Sequence, residues 1–257
     1  MSDPSGLISI ILPAFNCEKT LEETLVSVLG QTYRDIEIIL INDASTDGTA
    51  AICDRFARMD SRIRYYVNFK NIGVLETRLR AINLSKGEWI AFIDSDDIWS
   101  TDKLEKQTDL QKETGCDLVY TASSFINENG KMFKWIMHVP EEVSYKRLLR
   151  QNIISNSSVL LRKSDFLKYS PYSEREKDMH EDFACWLCML RAGLKARGIN
   201  EPLITYRIHK KSISSNKVSA SKLNMNTYKY IGLDFFERCY YQCCYAVNGI
   251  LKYMHLR

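Results

Sequence analysis

The sequence predicts an α/β fold in which helices cover both faces of a mostly parallel β-sheet. In the N-terminal part of the chain, continuous apolar runs typical of buried parallel strands alternate with segments whose apolar residues recur at helical spacing. The resulting order is β-α-β-α-β-α-β, and right-handed crossovers join such units into a parallel sheet. With 257 residues, 45% of them apolar, the chain is long enough to bury a substantial core.

Two strand–helix units come first. Residues 7–12 form an apolar, mostly β-branched run, and we expect Pro13 to end this strand because proline has no N–H for the ladder. Leucine and valine then recur at helical spacing, which predicts a helix over residues 18–31. The second strand, residues 35–41, runs into the polar loop 42–49, which opens the next helix.

The third and fourth strands lead to an acidic run. Residues 63–67 form the third strand, which is followed by the loop 71–73 and by a helix that we expect Gly87 to end. The fourth strand, residues 88–93, closes in Asp94-Ser95-Asp96-Asp97. Three carboxylates in four residues repel one another unless a cation or several donors lie among them. A solvated, Asp-rich turn is the alternative interpretation of this run.

The pattern changes after a helix predicted over residues 101–114. Asn129-Gly130 is a hairpin signal, and we expect a strand on either side of it, at residues 117–126 and 131–137. This part of the chain is therefore expected to extend the sheet by a β-hairpin.

A second acidic cluster, residues 178–182, precedes an apolar helix predicted over residues 183–190. Acids in a first helical turn interact favourably with the helix dipole, so a purely structural role is the alternative to a functional one. Two short strands are expected beyond Gly193. Residues 218–257 are expected to be helical, with aromatic residues interleaved with Lys and Arg.

Composition narrows the class of protein. The sequence has neither the roughly 20 uninterrupted apolar residues of a membrane span nor a signal-peptide pattern, so we expect a cytoplasmic protein.

The eight cysteines of the chain lie in apolar patterns, which favours free thiols. The Cys185-x-x-Cys188 spacing leaves a zinc site as the alternative. From Lys195 onward the net charge is +8, against −5 before it, which suggests that the C-terminal part meets an anionic partner.

Four polar loops are predicted at one edge of the sheet. They comprise residues 13–16, 43–47, 71–73 and 94–97, and each follows the carboxyl end of a strand, where open α/β sheets bind ligands. No Gly-x-Gly-x-x-Gly follows the first strand and no P-loop motif is present, so dinucleotide oxidoreductases and P-loop enzymes lack their phosphate cradle. Phosphates bound here would need a metal and basic side chains instead.

Several of these segments together resemble family 2 glycosyltransferases. The resemblance covers roughly residues 7–215, and the segments that carry it are Ser9-Ile-Ile-Leu-Pro-Ala-Phe-Asn16, Asn42-Asp-Ala-Ser-Thr-Asp-Gly-Thr49, Asn71-Ile-Gly73, Gly87-Glu-Trp-Ile-Ala-Phe-Ile-Asp-Ser-Asp-Asp97 and His180-Glu-Asp182. It implies a GT-A fold, which is a Rossmann-like, mostly parallel sheet, here followed by a helical tail. It also implies inverting transfer of a sugar from a nucleotide donor, usually a UDP-sugar, to an acceptor hydroxyl, as in bacterial polysaccharide, O-antigen and lipopolysaccharide biosynthesis.

The resemblance also implies a division of the chain. Residues 1–215 would form the catalytic domain, with a nucleotide-binding half over 1–115 and an acceptor-binding half over 116–215. Residues 216–257 would form a basic, aromatic helical tail. We hypothesise that this tail rests on a membrane surface and brings a peripheral enzyme to a lipid-linked acceptor.

The nucleotide-sugar site can be carried over residue by residue from the resemblance. Asp43 would bind the uracil, and Asp94 of the Asp-x-Asp motif would approach the ribose. The full set of donor-site residues is Pro13, Phe15, Asn16, Glu18, Asp43, Asn71, Gly73, Arg78, Asp94, Ser95, Asp96, Arg207 and His209. Ala44 departs from the family pattern, in which glycine is common, so the turn after Asp43 must tolerate a Cβ.

A divalent cation and a base complete the implied chemistry. Mn²⁺ or Mg²⁺ would be held by Asp96 first and Asp97 second, with His209 as a further ligand, and would stabilise the charge of the departing diphosphate. Asp182 is the candidate general base that takes the acceptor proton, with Glu181 second. Arg207, His209 and Lys210 belong to a stretch that would close over the diphosphate or complete the metal shell.

Two other functions remain open at this point. A non-catalytic module that binds a nucleotide sugar or a glycan would be favoured if Asp182 lay far from the acidic run. An aspartate-dependent phosphohydrolase also places Asp-x-Asp after a parallel strand, but it needs Thr or Val where Ile98 stands. A nucleotide-sugar donor and a glycan or lipid-linked acceptor are the expected partners, and no nucleic acid is expected.

Overall fold

The computed structural model describes residues 6–171, 178–209 and 217–255. Its strands are β1 (Ile8–Ala14), β2 (Ile36–Asn42), β3 (Ile63–Val67), β4 (Trp89–Phe92), β5 (Ile98–Trp99), β6 (Leu118–Asn127), β7 (Leu160–Arg162) and β8 (Ala196–Ile208). Its helices are α1 (Leu21–Leu29), α2 (Thr49–Met59), α3 (Val74–Leu84), α4 (Lys103–Thr114), α5 (Tyr145–Arg150), α6 (Lys163–Tyr169), α7 (Glu181–Arg191), α8 (Lys217–Tyr230) and α9 (Phe235–His255). The strands form one sheet in the order β3-β2-β1-β4-β7-β6-β8-β5. The predicted α/β fold is confirmed.

The half of the sheet formed by β3, β2, β1 and β4 is parallel throughout, as predicted. Successive side chains of a strand point to opposite faces, and both faces of β1 are buried. Ile10 and Leu12 pack into one hydrophobic cluster with α1, whereas Ile11 packs into a second cluster with α3 and α7. Burial on both faces explains why the sequence of this strand is continuously apolar rather than alternating.

The expectation that Pro13 ends the first strand is wrong. β1 continues to Ala14, and Pro13 pairs in register with Ile41 of β2. On its other side β1 is paired with β4 only as far as Ile11 and Phe92, so the ladder on that side has ended before Pro13. A proline without an N–H is therefore tolerated there, and the two strands separate beyond that point.

The other half of the sheet is mixed, and two predictions fail in it. The two short strands expected after Gly193 form a single strand, β8, because a bulge in its parallel pairing with β6 lies at Thr121 to Ser123 and accommodates the extra residues around Pro202. The expected hairpin forms its turn but no second strand. Its return segment pairs with β6 through isolated bridges at Met132 and Met137, and between them Trp135 stacks on Phe125.

The helical tail packs against the rest of the fold. Tyr228 and Ile231 are buried in the hydrophobic cluster that also contains Phe183 of α7, and Tyr245 of α9 lies with its ring centroid 6.0 Å from that of Phe183. The division of the chain at residues 215 and 216 stays a prediction. Within the described residues, none of the helices combines the length and the apolar character needed to cross a bilayer.

Gly87 has a different role from the one expected. Helix α3 ends at Leu84, with Ser85 as its C-cap. A Cβ on Gly87 would lie 2.4 Å from the carbonyl oxygen of Leu7 and 2.8 Å from the backbone nitrogen of Ser9. The glycine therefore permits close contact between the start of β4 and the backbone of β1.

We expect Gly87→Ala to lower the free energy of unfolding by about 2 kcal/mol, because the added methyl group meets backbone that cannot move without shifting β1. Gly249→Ala is the matched control, since a Cβ there meets no atom within 4 Å. Urea denaturation followed by circular dichroism measures both variants. Equal stability of the two variants would contradict the packing argument.

Candidate functional site

The candidate site lies at the carboxyl ends of β1 and β4. From β1 the chain proceeds to β2 and β3 on one side, whereas β4 lies on the other side of β1. Such a reversal of strand order is where open α/β sheets bind ligands. The ladder between β1 and β4 ends at Ile11 and Phe92. The space between the polar loops that follow β1, β2 and β4 is called the crevice below.

The loops after β1 and β2 are joined by side-chain hydrogen bonds. Asn16 Oδ1 accepts from the backbone N–H of Thr46 (2.8 Å), and Glu18 Oε2 accepts from that of Gly48 (2.6 Å). Phe15, which precedes Asn16 in the same loop, exposes 47% of its surface, whereas Pro13 is buried within β1. Asn16 and Glu18 therefore join the two loops into one wall, and the ring of Phe15 is exposed beside it.

Asp43 is buried, and its carboxylate holds the loop before α3. Oδ1 accepts from Asn68 Nδ2 (2.6 Å) and from the backbone N–H of Ile72 (3.0 Å). Oδ2 accepts from the backbone N–H of Gly73 (2.9 Å), which also bonds Asn71 Oδ1 (3.1 Å). Each carboxylate oxygen can accept two hydrogen bonds, so Oδ2 keeps one acceptor position beyond its bond to Gly73.

Ala44 occupies a strained backbone conformation. Its φ is +57°, in the left-handed region that costs an L-residue with a Cβ about 1–2 kcal/mol. This turn must therefore tolerate a Cβ at a position where glycine is common in the family. The backbone does so by placing alanine in the conformation that glycine adopts more readily.

The three acids of the run at the end of β4 have three different environments. Asp94 forms an ion pair with Arg78 of α3. Asp96 Oδ2 lies 2.7 Å from Nε2 of His209, which follows β8. Asp97 is fully buried. The carbonyl oxygen of Ser95 accepts a hydrogen bond from Thr20 Oγ1 (2.9 Å).

Asp97 is held from two directions. Its Oδ2 accepts from Ser157 Oγ (2.5 Å), and its Oδ1 accepts from the backbone N–H of Arg207 (3.1 Å). Burial, together with the neighbouring Asp96 and Asp94, holds the pKa of the Asp97 carboxyl well above its usual range. Burial and the charge of Asp94 also raise the pKa of Asp96.

The guanidinium of Arg207 is directed beneath the run. Its Nε donates to the carbonyl oxygen of Asp96 (3.0 Å), and it forms an ion pair with Glu23 of α1 (2.5 Å). Only 5% of its side chain is exposed. Arg207 therefore supports the backbone of the acidic run. His209, two residues later, places its imidazole beside the Asp96 carboxylate. Lys210 lies outside the described residues.

The second acidic cluster lies at the N-terminus of α7, near the same crevice. Burial raises the pKa of Glu181 to about 7 and also raises the pKa of Asp182. The charge of Arg78 favours the ionised form of both carboxyls, and the charge of Asp94 opposes ionisation of Asp182. Arg78 therefore pairs with Asp94 and also acts electrostatically on both carboxyls of the second cluster.

Sequence reasoning missed several residues of the site. Ser157 bonds both ends of the acidic run, and Glu23 neutralises Arg207. Burial and the charges of all three acids of the run and of Asp182 raise the pKa of Tyr206, which places this side chain near both clusters. Residues 155–158 form a polar run in the sequence. This run does not indicate which of its three serine hydroxyls contacts the acidic run after β4.

The donor groups fit a divalent cation that is shared with a substrate. Within the described residues, no group of three or more His, Cys, Asp or Glu side chains is arranged to hold a metal by itself. Asp96 nevertheless supplies a carboxylate beside the imidazole of His209. Mg²⁺ is commonly bound by one or two carboxylates plus substrate phosphates, and a site of this composition can stabilise a departing diphosphate.

Comparison with known proteins gives the site its context. A putative teichuronic acid biosynthesis glycosyltransferase, TuaG of Bacillus subtilis (strain 168), is 34% identical over 253 residues, which cover 98% of this chain and 99% of that protein. WfaP of Escherichia coli, named a UDP-Glc:alpha-D-GlcNAc-diphosphoundecaprenol beta-1,3-glucosyltransferase, is 35% identical over 248 residues, which cover 96% of this chain and 95% of that protein.

A solved structure and a family model agree with these relatives. The mannosyltransferase PcManGT of Pyrobaculum calidifontis, in complex with GDP-Man and Mn²⁺, matches 95% of this chain and 70% of its own with a TM-score of 0.69 at 15% sequence identity. The match shows a common fold, and the predicted GT-A architecture is confirmed. The family model described as Glycosyl transferase family 2 matches residues 9–171. The chain therefore belongs to glycosyl transferase family 2 and is a glycosyltransferase.

Proposed function

We propose that this enzyme inverts the anomeric centre as it transfers a sugar from a UDP-sugar to a hydroxyl of a glycan or lipid-linked acceptor, with a divalent cation and Asp182 as general base. The observation that carries the proposal is the position of Arg78. It pairs with Asp94 in one acidic cluster and favours the ionised form of Asp182 in the other, so one guanidinium serves both clusters. A non-catalytic binding module has no need of a second carboxylate there.

The names of the relatives support the donor and acceptor classes. WfaP is named for transfer of glucose from UDP-Glc to a diphosphoundecaprenol-linked sugar, and WfgD of the same species carries the same description. The likeness to WfaP covers nearly the whole chain, so we extend a UDP-sugar donor and a lipid-linked acceptor to this enzyme. GDP remains the competing nucleotide to test.

The donor would bind along the wall formed by the loops after β1 and β2. We assign stacking against the base to the exposed ring of Phe15, and recognition of uracil to the remaining acceptor position on Asp43. Asn16, Glu18, Asn71 and Gly73 shape this wall through their hydrogen bonds. Arg78 and Asp94 would face the ribose and the diphosphate.

The cation is assigned to Asp96 and His209. Asp97 was a second candidate, but its two oxygens accept from Ser157 and Arg207 in the protein interior, which favours a supporting role. When bound, the cation would offset the negative charge that develops on the departing nucleoside diphosphate. The cation would also counteract burial and the charge of Asp94, which together raise the pKa of Asp96.

The base must face the acceptor hydroxyl and be ionised before the reaction. Burial raises the pKa of Asp182 and of Glu181, which makes either carboxylate a stronger base than an exposed one, while Arg78 keeps the ionised form accessible. Because protonation abolishes a base, activity is expected to be lost as the pH falls through the raised pKa. We assign the role to Asp182, with Glu181 second.

Nucleotide binding tests the donor assignment. We expect calorimetry to show that UDP binds and that Mn²⁺ tightens binding by about tenfold, equal to about 1.4 kcal/mol. Asp96→Asn should retain UDP binding and lose the increment due to Mn²⁺. GDP is the nucleotide control. Negligible heats with UDP, GDP and other nucleotides, with and without Mn²⁺, would refute the donor assignment.

Transfer kinetics test the base. Asp182→Asn should leave UDP affinity unchanged and lower kcat by about 10²–10⁴-fold, the usual contribution of general base catalysis. Glu181→Gln is the matched control, and it should keep more activity and an acid limb in its pH profile. Near-normal turnover of Asp182→Asn would exclude it as the base. If only Glu181→Gln is inactive, the role passes to Glu181.

The tail presents a surface that supports contact with a membrane. The inner face of α9 packs on the core through Tyr241 and Tyr245. On the outer face of α9, four exposed residues form one stripe because they follow one another at intervals of four, three and four positions. These residues are Phe236, Tyr240, Cys243 and Val247. Aromatic residues favour the headgroup region, and the positive charge of the C-terminal part suits anionic lipid.

Point substitutions test this contact better than truncation, because Tyr228 and Ile231 belong to the core. We expect Phe236→Ser combined with Tyr240→Ser to weaken binding to vesicles of phosphatidylcholine and phosphatidylglycerol by about tenfold, since two apolar side chains are lost. Met59→Ser, which removes an exposed side chain of α2, is the control. Unchanged cosedimentation of the double variant would argue against the outer face of α9 as the contact.

A further inference from the structure

One buried hydroxyl group joins the two ends of the acidic run. Ser157 is fully buried in the single helical turn Asn156–Ser158 that precedes β7. Its Oγ donates to Asp97 Oδ2 (2.5 Å) and accepts from the backbone N–H of Asp94 (3.1 Å). The hydroxyl therefore uses its only hydrogen on one acid and an acceptor position on the backbone of another, and Asp96 lies between them.

The turn that carries Ser157 is itself fixed from both sides. The carbonyl oxygen of Ser157 accepts a hydrogen bond from Trp99 Nε1 (2.9 Å). The carbonyl oxygen of Ser158 accepts one from Gln107 Nε2 (2.8 Å). Gln107 Oε1 in turn accepts from the buried Nζ of Lys103 (2.8 Å). Ser157 is thus presented to the acidic run by the segment after β4 and by α4, and it has little freedom to follow a moving loop.

Asp97 transmits this restraint to both candidate cation ligands. Its second oxygen accepts from the backbone N–H of Arg207 (3.1 Å), two residues before His209. The side chain of Arg207 holds the carbonyl oxygen of Asp96 (3.0 Å). A single chain of contacts therefore runs from Ser157 through Asp97 and Arg207 to the backbone of Asp96 and to the segment that carries His209. The carboxylate and the imidazole of these two residues lie 2.7 Å apart.

We propose that Ser157 is a positioning residue for the cation, which holds Asp96 and His209 in the arrangement that a metal–diphosphate complex requires. The inference rests on the proposed function. Without the Ser157 hydroxyl, the run would have to be ordered when the cation binds, and that cost would reduce the effect of the cation on nucleotide affinity. The wall around Asp43 and Phe15 would be unaffected, so metal-free UDP binding should persist.

The test compares the Kd of UDP without and with Mn²⁺ for each protein, by calorimetry. We expect the ratio of the two values to fall by about tenfold in Ser157→Ala, which corresponds to about 1.4 kcal/mol, the size expected for the loss of one buried hydrogen bond. Ser157→Cys, which keeps a weak donor, should give an intermediate ratio and provides a second variant if Ser157→Ala is poorly folded. The affinity of Mn²⁺ measured by electron paramagnetic resonance in saturating UDP should fall in parallel.

Ser158→Ala is the matched control. Ser158 is equally buried in the same turn, but its hydroxyl donates to the carbonyl oxygen of Ser155 (2.7 Å). Its removal should lower stability without changing the ratio. A Ser157→Ala ratio equal to that of the wild type, or equal loss of the ratio in both alanine variants, overturns the positioning role. A wild-type chain whose UDP affinity is indifferent to Mn²⁺ overturns the proposed cation and this inference together.

Discussion

The site depends on how three carboxylates are kept side by side at the end of β4. Their mutual repulsion is offset in three different ways, since Asp94 receives a guanidinium, Asp96 an imidazole and Asp97 two hydrogen-bond donors in the interior. Asp97 decides the arrangement because it is the buried member, and an uncompensated charge there would be costly. Its donors come from Ser157 and Arg207, which are distant in sequence. The acidic run is therefore a product of the complete fold and not of β4 alone.

Arg78 gives the two acidic clusters a common counterion. A guanidinium is always charged and stabilises the ionised form of any carboxyl near it. It pairs directly with Asp94 and counteracts the effect of burial on Asp182 and Glu181. One guanidinium therefore acts on carboxyls from both acidic clusters. In the proposed function, the same guanidinium would also face the diphosphate of the donor.

Sequence patterns were informative where one strand or loop determines the outcome. The parallel β1 to β4 order and the loops at one sheet edge follow from local runs of apolar and polar residues. The failures involve partners from elsewhere in the chain. Pro13 is tolerated because β4 has already separated from β1, and β8 stays continuous because a bulge opposite β6 accommodates Pro202. No local pattern records where a neighbouring strand stops.

The C-terminal helices show the same limit for the candidate base. The tail looked separable because its composition differs from that of the rest of the chain. In the fold, Thr227 of α8 accepts from the backbone N–H of His180 (3.0 Å), immediately before Glu181 and Asp182, and Tyr228 packs edge-on against Phe183 just after them. The N-terminus of α7 is thus held by the helix that leads to the exposed stripe of α9. A tail that rests on a membrane would therefore place the acidic cluster at a fixed distance from the lipid surface, since α7, α8 and α9 share one hydrophobic cluster.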